Sequence, residues 1–369
     1  RVLRQMMDKP LPPRAKDVRR TLLSGAAQIL FMDVPAHAVV SQQLDLLGQK
    51  SRFRGLCNAV LRRIDTEGAD LLQAVDRTRF ATPGWLWRRW VKAYGDHATR
   101  DLAEAHLQSP PPLDLTVKSD VAGWAEKLDG TALANGTVRL TGHNAIDTLP
   151  GYADGDWWVQ DVAATLPALM LGEVDGKRVI DVCAAPGGKT AQLASAGAEV
   201  TALDRSETRL DRLKQNLERL GLAAECITAD ATEWAPPAAF DAVLLDAPCS
   251  ATGTMRRHPD LGWTKNHKDV ASLTDIQAAL LDRLCDLIRP GGTAVYCVCS
   301  LEPEEGEEQI AAFLQRNTEF DLSPIQAEEI GGFANAITEQ GTLRTLPSML
   351  SDRGGMDGFF AARLIRKSG

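Results

Sequence analysis

The chain of 369 residues contains no run of about 18 apolar residues, so its sequence predicts no membrane-spanning helix. No secretory signal peptide is visible at its start. The first residue is Arg1 instead of a methionine. We therefore expect the natural N-terminus to be missing, together with any upstream helix that packs onto residues 21–30. The composition, 44% hydrophobic and 24% charged, is typical of a globular protein of two or three domains.

Cysteine pairs with metal-binding spacing are also absent. The seven cysteines, an odd number, include no Cys-x-x-Cys pair, and no histidine cluster accompanies them. The sequence thus predicts no metal site and a cytoplasmic protein with reduced thiols. The closest pair, Cys297 and Cys299, would share one face of a strand, which is poor geometry for binding a metal.

A complete phosphate-binding P-loop is the third missing feature. The segment VIDVCAAPGGKTAQL (179–193) contains Gly188-Lys189-Thr190, as the end of a P-loop does. However, Cys183 stands where the first P-loop glycine belongs. Pro186 also removes a backbone N–H from a loop that binds phosphate through such groups. We therefore expect this loop to hold a nucleoside cofactor without a triphosphate.

The charges that are present are unevenly distributed along the chain. The net charge is −8, but residues 1–150 carry 21 Lys and Arg against 16 Asp and Glu, whereas residues 151–369 carry 20 against 33. A basic front half in an acidic protein favours local contact with nucleic acid, and the alternative is a solvated surface of uneven charge. Five cations lie around one predicted helix: Lys50, Arg52, Arg54, Arg62 and Arg63.

Apolar residues recur three and four apart through the front of the chain, which predicts an all-helical domain over residues 1–75. Pro35 is expected to begin the second of its main helices. The spacing is clearest in three segments: VRRTLLSGAAQILFM (18–32), HAVVSQQLDLL (37–47) and FRGLCNAVLRRI (53–64).

Residues 76–151 are predicted to form a linker helix and a small α+β module. The segment TPGWLWRRWVKAYG begins a helix at Pro83 and ends it near Gly95. Its three tryptophans either stack on bases or pack the helix onto a neighbour, and we favour packing. A break in SPPPLDLTV (109–117) is followed by short strands, one helix over residues 121–128 and turns.

From residue 152 onward, strand-like apolar runs alternate with helical stretches. This alternation predicts an α/β domain over residues 152–369, with a parallel sheet covered by helices on both faces. In such a sheet, ligands bind at the carboxyl ends of the strands, near the point where the strand order reverses. The predicted strands are residues 178–184, 199–204, 224–230, 242–248, 292–300 and 358–366, and the predicted helices are residues 189–196, 206–220, 270–288 and 304–316.

Acidic residues stand near the ends of three successive predicted strands: Asp204, Asp230 and Asp246. The first can bind ribose hydroxyls, and the second can accept a hydrogen bond from an adenine amino group. Carboxylates suit a neutral nucleoside with a sulfonium, so the pattern predicts S-adenosylmethionine; the alternative is that each Asp only caps a turn or helix. Gly187 and Gly188 would let the backbone approach the cofactor. Lys189 would stand near the crevice mouth, where it could place RNA or the methionine carboxylate.

Two cysteines, Cys249 and Cys299, also stand at predicted strand ends in this half. Methylation of carbon 5 of a pyrimidine needs a nucleophile, because that carbon becomes enamine-like only after a thiolate adds to carbon 6. We expect Cys299 to be the nucleophile, Cys249 to assist breakdown of the adduct, and Asp246 to share a proton with N3. Cys297 is the competitor for Cys299, since both lie on one strand face. Burial as small apolar side chains is the favoured interpretation for three others: Cys57, Cys226 and Cys285.

These segments together resemble the RNA cytosine-5 methyltransferases of the NOL1/NOP2/Sun family. DVCAAPGGKT (181–190) resembles the cofactor loop, LLDAPCSATGTMRRHPD (244–260) the Pro-Cys motif, and VYCVCSLEPEEGEEQI (295–310) the Thr-Cys-Ser motif, with Val298 in place of the threonine. The resemblance implies a Rossmann-like class I methyltransferase domain that uses S-adenosylmethionine, with Cys299 as the nucleophile. It implies these cofactor contacts: Cys183, Ala184, Ala185, Pro186, Gly187, Gly188, Lys189, Asp204, Asp230 and Asp246.

The front half is similar to the NusB-like helical domain carried by one branch of that family, the RsmB (Fmu/Sun) type. This similarity implies a cytoplasmic enzyme, expected to be a monomer, that methylates one cytosine of 16S rRNA, either free or in an early assembly intermediate. The basic front half would hold the RNA together with Arg256, Arg257 and His258. Two alternatives stay open, namely a tRNA cytosine-5 methyltransferase and a non-catalytic RNA-binding ribosome assembly factor.

Overall fold

The computed structural model of the protein describes residues 1–108, 110–142 and 145–368. The chain divides into two compact units, residues 1–81 and residues 82–369. No helix among the described residues combines the length and the apolar character needed to cross a membrane.

The first unit is made of helices whose apolar faces meet in one core. Leu22 and Leu61 are fully buried there, and Cys57 packs among them as a small apolar side chain. Gly25 allows close helix contact, because a Cβ at that position would stand 2.6 Å from Leu61 Cδ2. The predicted all-helical domain is confirmed, and Pro35 caps the start of its third helix. The helices are α1 (Val2–Gln5), α2 (Lys16–Phe31), α3 (Ala36–Leu47), α4 (Arg54–Gln73) and α5 (Arg77–Ala81).

The second unit begins with α6 (Gly84–Ala105), two helical stretches joined at Gly95, whose backbone is not helical (φ 81°, ψ 169°). The predicted helix over residues 82–95 is confirmed, whereas the stretch beyond Gly95 was not predicted. Trp90 is fully buried and donates its Nε1–H to Glu302 Oε1 at 2.9 Å. Trp85 donates its Nε1–H to the Gly262 carbonyl at 3.0 Å. These tryptophans therefore pack the helix against the rest of its unit, as favoured.

A small antiparallel sheet follows, made of β1 (Leu113–Val117), β2 (Thr131–Ala132), β3 (Thr137–Leu140) and β4 (Trp157–Val159). The strand order is β2-β3-β1-β4, so β4 comes from beyond the domain boundary expected at residue 151. The one predicted helix is α7 (Val121–Lys127), capped by the Asp120 side chain, which accepts from Gly123 N at 3.0 Å. The predicted break and module include Ser109, His143 and Asn144, which lie outside the described residues.

Eight strands form the large sheet: β5 (Arg178–Val182), β6 (Glu199–Asp204), β7 (Glu225–Thr228), β8 (Phe240–Asp246), β9 (Ile288–Val298), β10 (Phe320–Leu322), β11 (Leu343–Thr345) and β12 (Phe359–Arg366). Their order is β10-β12-β9-β8-β5-β6-β7, with β11 paired to β12 off this path. The order reverses between β5 and β8, which sets a ligand crevice at the carboxyl ends of these two strands. The accompanying helices are α8 (Val162–Leu169), α9 (Gly188–Ser195), α10 (Glu207–Leu220), α11 (Leu261–Thr264), α12 (His267–Asp282), α13 (Leu284–Leu287) and α14 (Glu307–Arg316).

The large sheet is mixed, which corrects the expectation of a parallel sheet. Strands β5 to β9 pair in parallel as predicted, but β12 runs antiparallel to β9, β10 and β11. A parallel pair needs a long crossover, usually a helix. Between β10 and β12 the chain forms only β11 and short 3-10 turns, so it returns without such a crossover.

A buried ion pair connects the small sheet to elements that flank the large sheet. Arg139 on β3 binds Asp114 on β1 through two hydrogen bonds of 2.7 Å, and both side chains are almost fully buried. Asp114 Oδ2 also accepts from Val162 N at 2.9 Å, and Arg139 Nη1 donates to the Gly355 carbonyl at 2.7 Å. One ion pair thus contacts the start of α8 and the chain leading into β12.

Candidate active site

The loop between β5 and α9 depends on one glycine for its shape. Cys183 has a φ of +64°, and Gly187, just before α9, has a φ of +103°. A Cβ on Gly187 would stand 2.7 Å from Leu213 Cγ, so both backbone conformation and packing require glycine there. A Cβ on Gly188 would make only ordinary contacts of 3.5 Å or more. Close approach of a ligand to Gly188 stays a prediction.

Asp204 and Asp230 lie around a cavity of about 360 Å³ beside this loop. Asp204 ends β6 and accepts from Ala185 N at 3.1 Å and Ser206 N at 2.9 Å. Asp230 Oδ1 accepts from Thr232 Oγ1 and N at 2.6 and 2.9 Å, which lowers the pKa of this carboxyl. Both residues therefore cap turns, and both keep acceptor lone pairs for donors of a ligand in the cavity.

Asp246, at the end of β8, is bonded to two side chains from neighbouring elements. Lys189 Nζ donates to Asp246 Oδ2 at 2.8 Å, and Cys297 Sγ donates to Oδ1 at 3.5 Å. Burial works against the charged lysine, but Asp246 outweighs it, and the pKa of Lys189 is raised. The expectation of Lys189 at the crevice mouth is wrong: the side chain is 9% exposed, because its charge is compensated inside the crevice.

The structure separates the two competing cysteines of β9. Cys297 is fully buried, and burial together with the nearby Asp246 raises its thiol pKa well above the ordinary value. This thiol is therefore a protonated hydrogen-bond donor to Asp246. Cys299 comes directly after the end of β9, in a loop where it is partly exposed.

The two predicted thiols of the crevice are brought together. Cys249 Sγ and Cys299 Sγ lie 3.4 Å apart, because β8 and β9 are parallel neighbours whose following loops meet. The hydrogen bond with Cys299, followed by burial, raises the pKa of Cys249 well above that of a free thiol. Cys249 is thus a protonated thiol within hydrogen-bond distance of the sulfur of Cys299.

Sequence reasoning missed a buried carboxylate that contacts both thiol loops. Glu305 is fully buried and receives hydrogen bonds from Ser250 and Ser300, the residues that follow Cys249 and Cys299. The only signal in the sequence is the repeated Cys-Ser pair. Residues 302–328 contain six other glutamates, so the sequence does not show which of them is buried.

Of the three basic residues predicted to hold RNA beside the second thiol, one is buried in an ion pair and two line a cavity. Arg256 is 5% exposed, and its Nη2 lies 3.1 Å from Asp161 Oδ2 and 3.4 Å from Asp357 Oδ1. It is therefore not an RNA contact, because moving it would leave two buried carboxylates short of a partner. Arg257 pairs with the same carboxylates but is one-third exposed, and with His258 it lines a second cavity of about 660 Å³.

The groups around the crevice fit a nucleoside sulfonium cofactor better than a triphosphate. Asp204 and Asp230 offer acceptors to ribose hydroxyls and an amino group, as predicted for S-adenosylmethionine. Lys189, which a P-loop would use for phosphates, is already neutralised by Asp246. Across the part of the chain that the structure describes, no three His, Cys, Asp or Glu side chains form a group that could hold a metal ion.

Comparisons with known proteins identify the family and the fold. The family described as 16S rRNA methyltransferase RsmB/F matches residues 168–365, and the NusB family matches residues 1–66. Ribosomal RNA small subunit methyltransferase B of Salmonella typhi is 35% identical over 99% of this chain and 86% of its own length. The solved structure of PH0851 is 26% identical with a TM-score of 0.78, covering 94% of this chain and 82% of that one. A methyltransferase homologue from Pyrococcus horikoshii, also 26% identical, has a TM-score of 0.65, covering 80% and 99%.

Proposed function

The chain belongs to the RsmB/F family of 16S rRNA methyltransferases, and we propose that it methylates carbon 5 of a cytosine in 16S rRNA through a covalent cysteine adduct. The observation that carries this proposal is the pair of thiols, Cys249 and Cys299, which lie 3.4 Å apart in the loops that follow β8 and β9, with Asp246 at the end of β8. Two adjacent thiols suit addition to a pyrimidine ring and later release from it.

The thiolate of Cys299 adds to carbon 6 of the cytosine, and Asp246 shares a proton with N3 as charge develops on the ring. Carbon 5 then takes the methyl group, a base removes the carbon 5 proton, and the bond from carbon 6 to sulfur breaks. The Cys249 thiol, protonated and 3.4 Å away, donates a hydrogen bond to the departing sulfur. This donation stabilises Cys299 as a thiolate and speeds breakdown of the adduct.

The cofactor S-adenosylmethionine, when bound, supplies an electrophilic methyl group. The residues that would hold it lie at the ends of β5, β6 and β7. Asp204 would bind the ribose and Asp230 the adenine, and the loop of residues 183–189 would contact the methionine end.

Ribosomal RNA is the substrate that the relatives favour. The Salmonella typhi relative, named for the small ribosomal subunit, aligns over nearly the whole chain, including the NusB-like first unit. Either free 16S rRNA or an early assembly intermediate would serve, because the reaction needs an unstacked cytosine. A labelled methyl group transferred to tRNA and not to 16S rRNA would support the tRNA alternative. Transfer to neither would support the assembly factor.

Covalent trapping tests the chemistry. In 16S rRNA that contains 5-fluorocytosine, the methylated adduct has no carbon 5 proton to lose, so wild-type protein should stay attached to RNA in a denaturing gel. Cys299→Ala should form no adduct, and Cys249→Ala should accumulate adduct even with normal RNA. Cys297→Ala is the matched control, since it removes a thiol from the same strand and should still form adduct. Adduct formed by Cys299→Ala would overturn the proposal.

A further inference from the structure

Both thiol loops are bound to one carboxylate. Ser250 and Ser300 are fully buried, and each hydroxyl lies 2.5 Å from Glu305 Oε2. The main-chain N–H of Ser250 donates to Glu305 Oε1 at 2.8 Å, and Gln277 Nε2 donates to the same oxygen at 3.1 Å. Four donors from three separate elements therefore converge on a side chain with no exposed surface.

The hydrogen bonds make Glu305 the common partner of both thiol loops. Two of the four donors are N–H groups, which cannot accept, and the Ser300 oxygen itself accepts from Glu302 N at 3.0 Å. The two serine hydroxyls also lie 3.1 Å from each other, and the Ser300 hydroxyl lies 3.4 Å from Thr252 Oγ1. Among the described residues no lysine or arginine pairs with Glu305, so its side chain is held by neutral donors.

The carboxylate is itself held in place from the sheet. Tyr296 on β9 donates its hydroxyl to the Glu305 main-chain carbonyl at 2.6 Å. Gln277 on α12 donates both to Glu305 and to the Pro248 carbonyl, at 3.1 and 2.9 Å. Because the side chain cannot move independently of β9 and α12, the two loops bonded to it cannot separate without breaking buried hydrogen bonds.

We propose that Glu305 is a positioning residue, whose carboxylate fixes the distance between the Cys249 and Cys299 thiols by binding the serine next to each of them. The part of this inference that concerns catalysis rests on the proposed function, whereas the thiol distance does not. Loss of the carboxylate would leave buried donors unpaired and let both loops drift. A misplacement of about 1 Å costs about 100-fold in rate in well-aligned active sites.

A trivalent arsenical tests the thiol distance without any methyl transfer. Phenylarsine oxide condenses with two nearby thiols, forming two arsenic–sulfur bonds and releasing water, and intact-mass spectrometry measures the rate. Wild type should be bridged, and Cys249→Ala supplies the blank. Glu305→Ala should be bridged about tenfold more slowly or worse, as expected from the loss of several buried hydrogen bonds. Glu305→Gln should stay near wild type, since its amide can donate to the two hydroxyl oxygens in the same geometry.

Gln309→Ala is the matched control for a general loss of packing. Gln309 is also buried and near the same turn, but its Nε2 donates to the Thr274 carbonyl at 2.7 Å and touches neither thiol loop. This variant should be bridged at the wild-type rate. If Glu305→Ala does not fold, the double variant Ser250→Ala/Ser300→Ala replaces it and should show the same slow bridging. Bridging at the wild-type rate in whichever variant folds would overturn the proposal.

Adduct kinetics with 5-fluorocytosine RNA then separate this inference from the proposed function. Glu305→Ala should trap adduct more slowly than Gln309→Ala, and with normal RNA its adduct should persist longer, because Cys249 is no longer held against the departing sulfur. If Glu305→Ala is bridged slowly by arsenic but wild-type protein forms no adduct with RNA, Glu305 is still a positioning residue and the proposed methyltransferase chemistry is wrong. If Glu305→Ala forms and releases adduct at the same rates as Gln309→Ala, Glu305 has no role in catalysis.

Discussion

The crevice has two sides whose functional groups are held differently. On the thiol side (Lys189, Asp246, Cys249, Cys297 and Cys299), each side chain is bonded to another member of the group. On the carboxylate side (Asp204 and Asp230), the side chains are held by N–H and hydroxyl groups of nearby turns, and Asp204 Oδ2 also lies 3.5 Å from Arg209 Nη1. Groups bonded to one another change charge and position together, so substitutions on the thiol side should be non-additive and those on the carboxylate side additive.

The largest effect is expected from Asp246→Asn on the thiol side. Methyl transfer under single-turnover conditions should fall by about 100- to 1000-fold, because the ring loses its proton-sharing partner as charge develops. The protein should also lose about 3–5 kcal/mol of unfolding free energy, since Lys189 becomes a buried charge without its partner. Thermal unfolding measures the second effect independently of the first.

The double variant Asp246→Asn/Lys189→Met is the control for this coupling. Removing the cation as well should restore most of the stability, because no unpaired buried charge remains, while methyl transfer stays low. Stability losses that simply add in the double variant would show that the two residues are not coupled, and the contrast between the two sides would disappear.

Asp204→Asn and Asp230→Asn should have smaller effects, confined to cofactor binding. Asp204→Asn should raise the apparent KM for S-adenosylmethionine about tenfold, the worth of one charged hydrogen bond. Asp230→Asn should raise it less, because Asp230 is solvent-exposed and water competes there. The rate at saturating cofactor should stay within about threefold of wild type, because neither side chain touches the thiols. A main effect on kcat, or strong non-additivity in the double variant, would contradict the independence of this side.

Predictions from sequence succeeded where the information is local along a strand. Apolar runs and helical spacing located β5 to β9 with their helices, and strand ends located Cys249 and Cys299, which the fold brings together. The family resemblance is confirmed; it was inferred from the motifs of residues 152–369 and from the helical domain of residues 1–75. The antiparallel edge was missed because the direction of β12 depends on how the chain returns to β9, which strand periodicity does not encode.

The failures concern charged side chains whose partners lie far away in sequence. Lys189 was expected near the crevice mouth, where it could place RNA or the methionine carboxylate, but it is bound to Asp246, 57 residues further on. Arg256 was assigned to RNA, but its partner Asp161 is 95 residues earlier. Composition and periodicity cannot pair such residues, so sequence reasoning assigns them to solvent or to a ligand by default. Glu305 was missed in part for the same reason: Ser300 is only five residues away, but Ser250 and Gln277 are 55 and 28 residues earlier.

Asp181 on β5 lies between the two sides and should make stability depend on pH. Burial, opposed in part by the 2.6 Å hydrogen bond from Thr190, raises its pKa to about 7. The folded protein therefore keeps a proton that the unfolded chain, with a carboxyl pKa of about 3.9, has lost. The bound proton adds to the free energy of unfolding. This contribution is fully present below about pH 4 and is lost as the pH rises towards 7.

Asp181→Asn removes this titration while keeping the shape of the side chain. The melting temperature of the variant relative to wild type should therefore rise between pH 5 and pH 8. Asp230→Asn is a suitable control, because Asp230 is not among the charges that raise the pKa of Asp181 and its own pKa is lowered. A constant difference in melting temperature between wild type and Asp181→Asn across this range would show that Asp181 is ionised in the folded protein throughout.

The smallest effect is expected from the first unit, on RNA affinity alone. Lys50 and Arg52 are exposed there, whereas Arg63 is bound to Glu67 and to the Met6 carbonyl. If the exposed pair contacts phosphates, Lys50→Gln/Arg52→Gln should weaken 16S rRNA binding and reduce the slope of log affinity against log salt by about 1–2. Arg63→Gln should leave the slope unchanged, and both variants should methylate at the wild-type rate with saturating RNA. An unchanged slope in the double variant would move the phosphate contacts to the second unit, where Arg257 and His258 line the larger cavity.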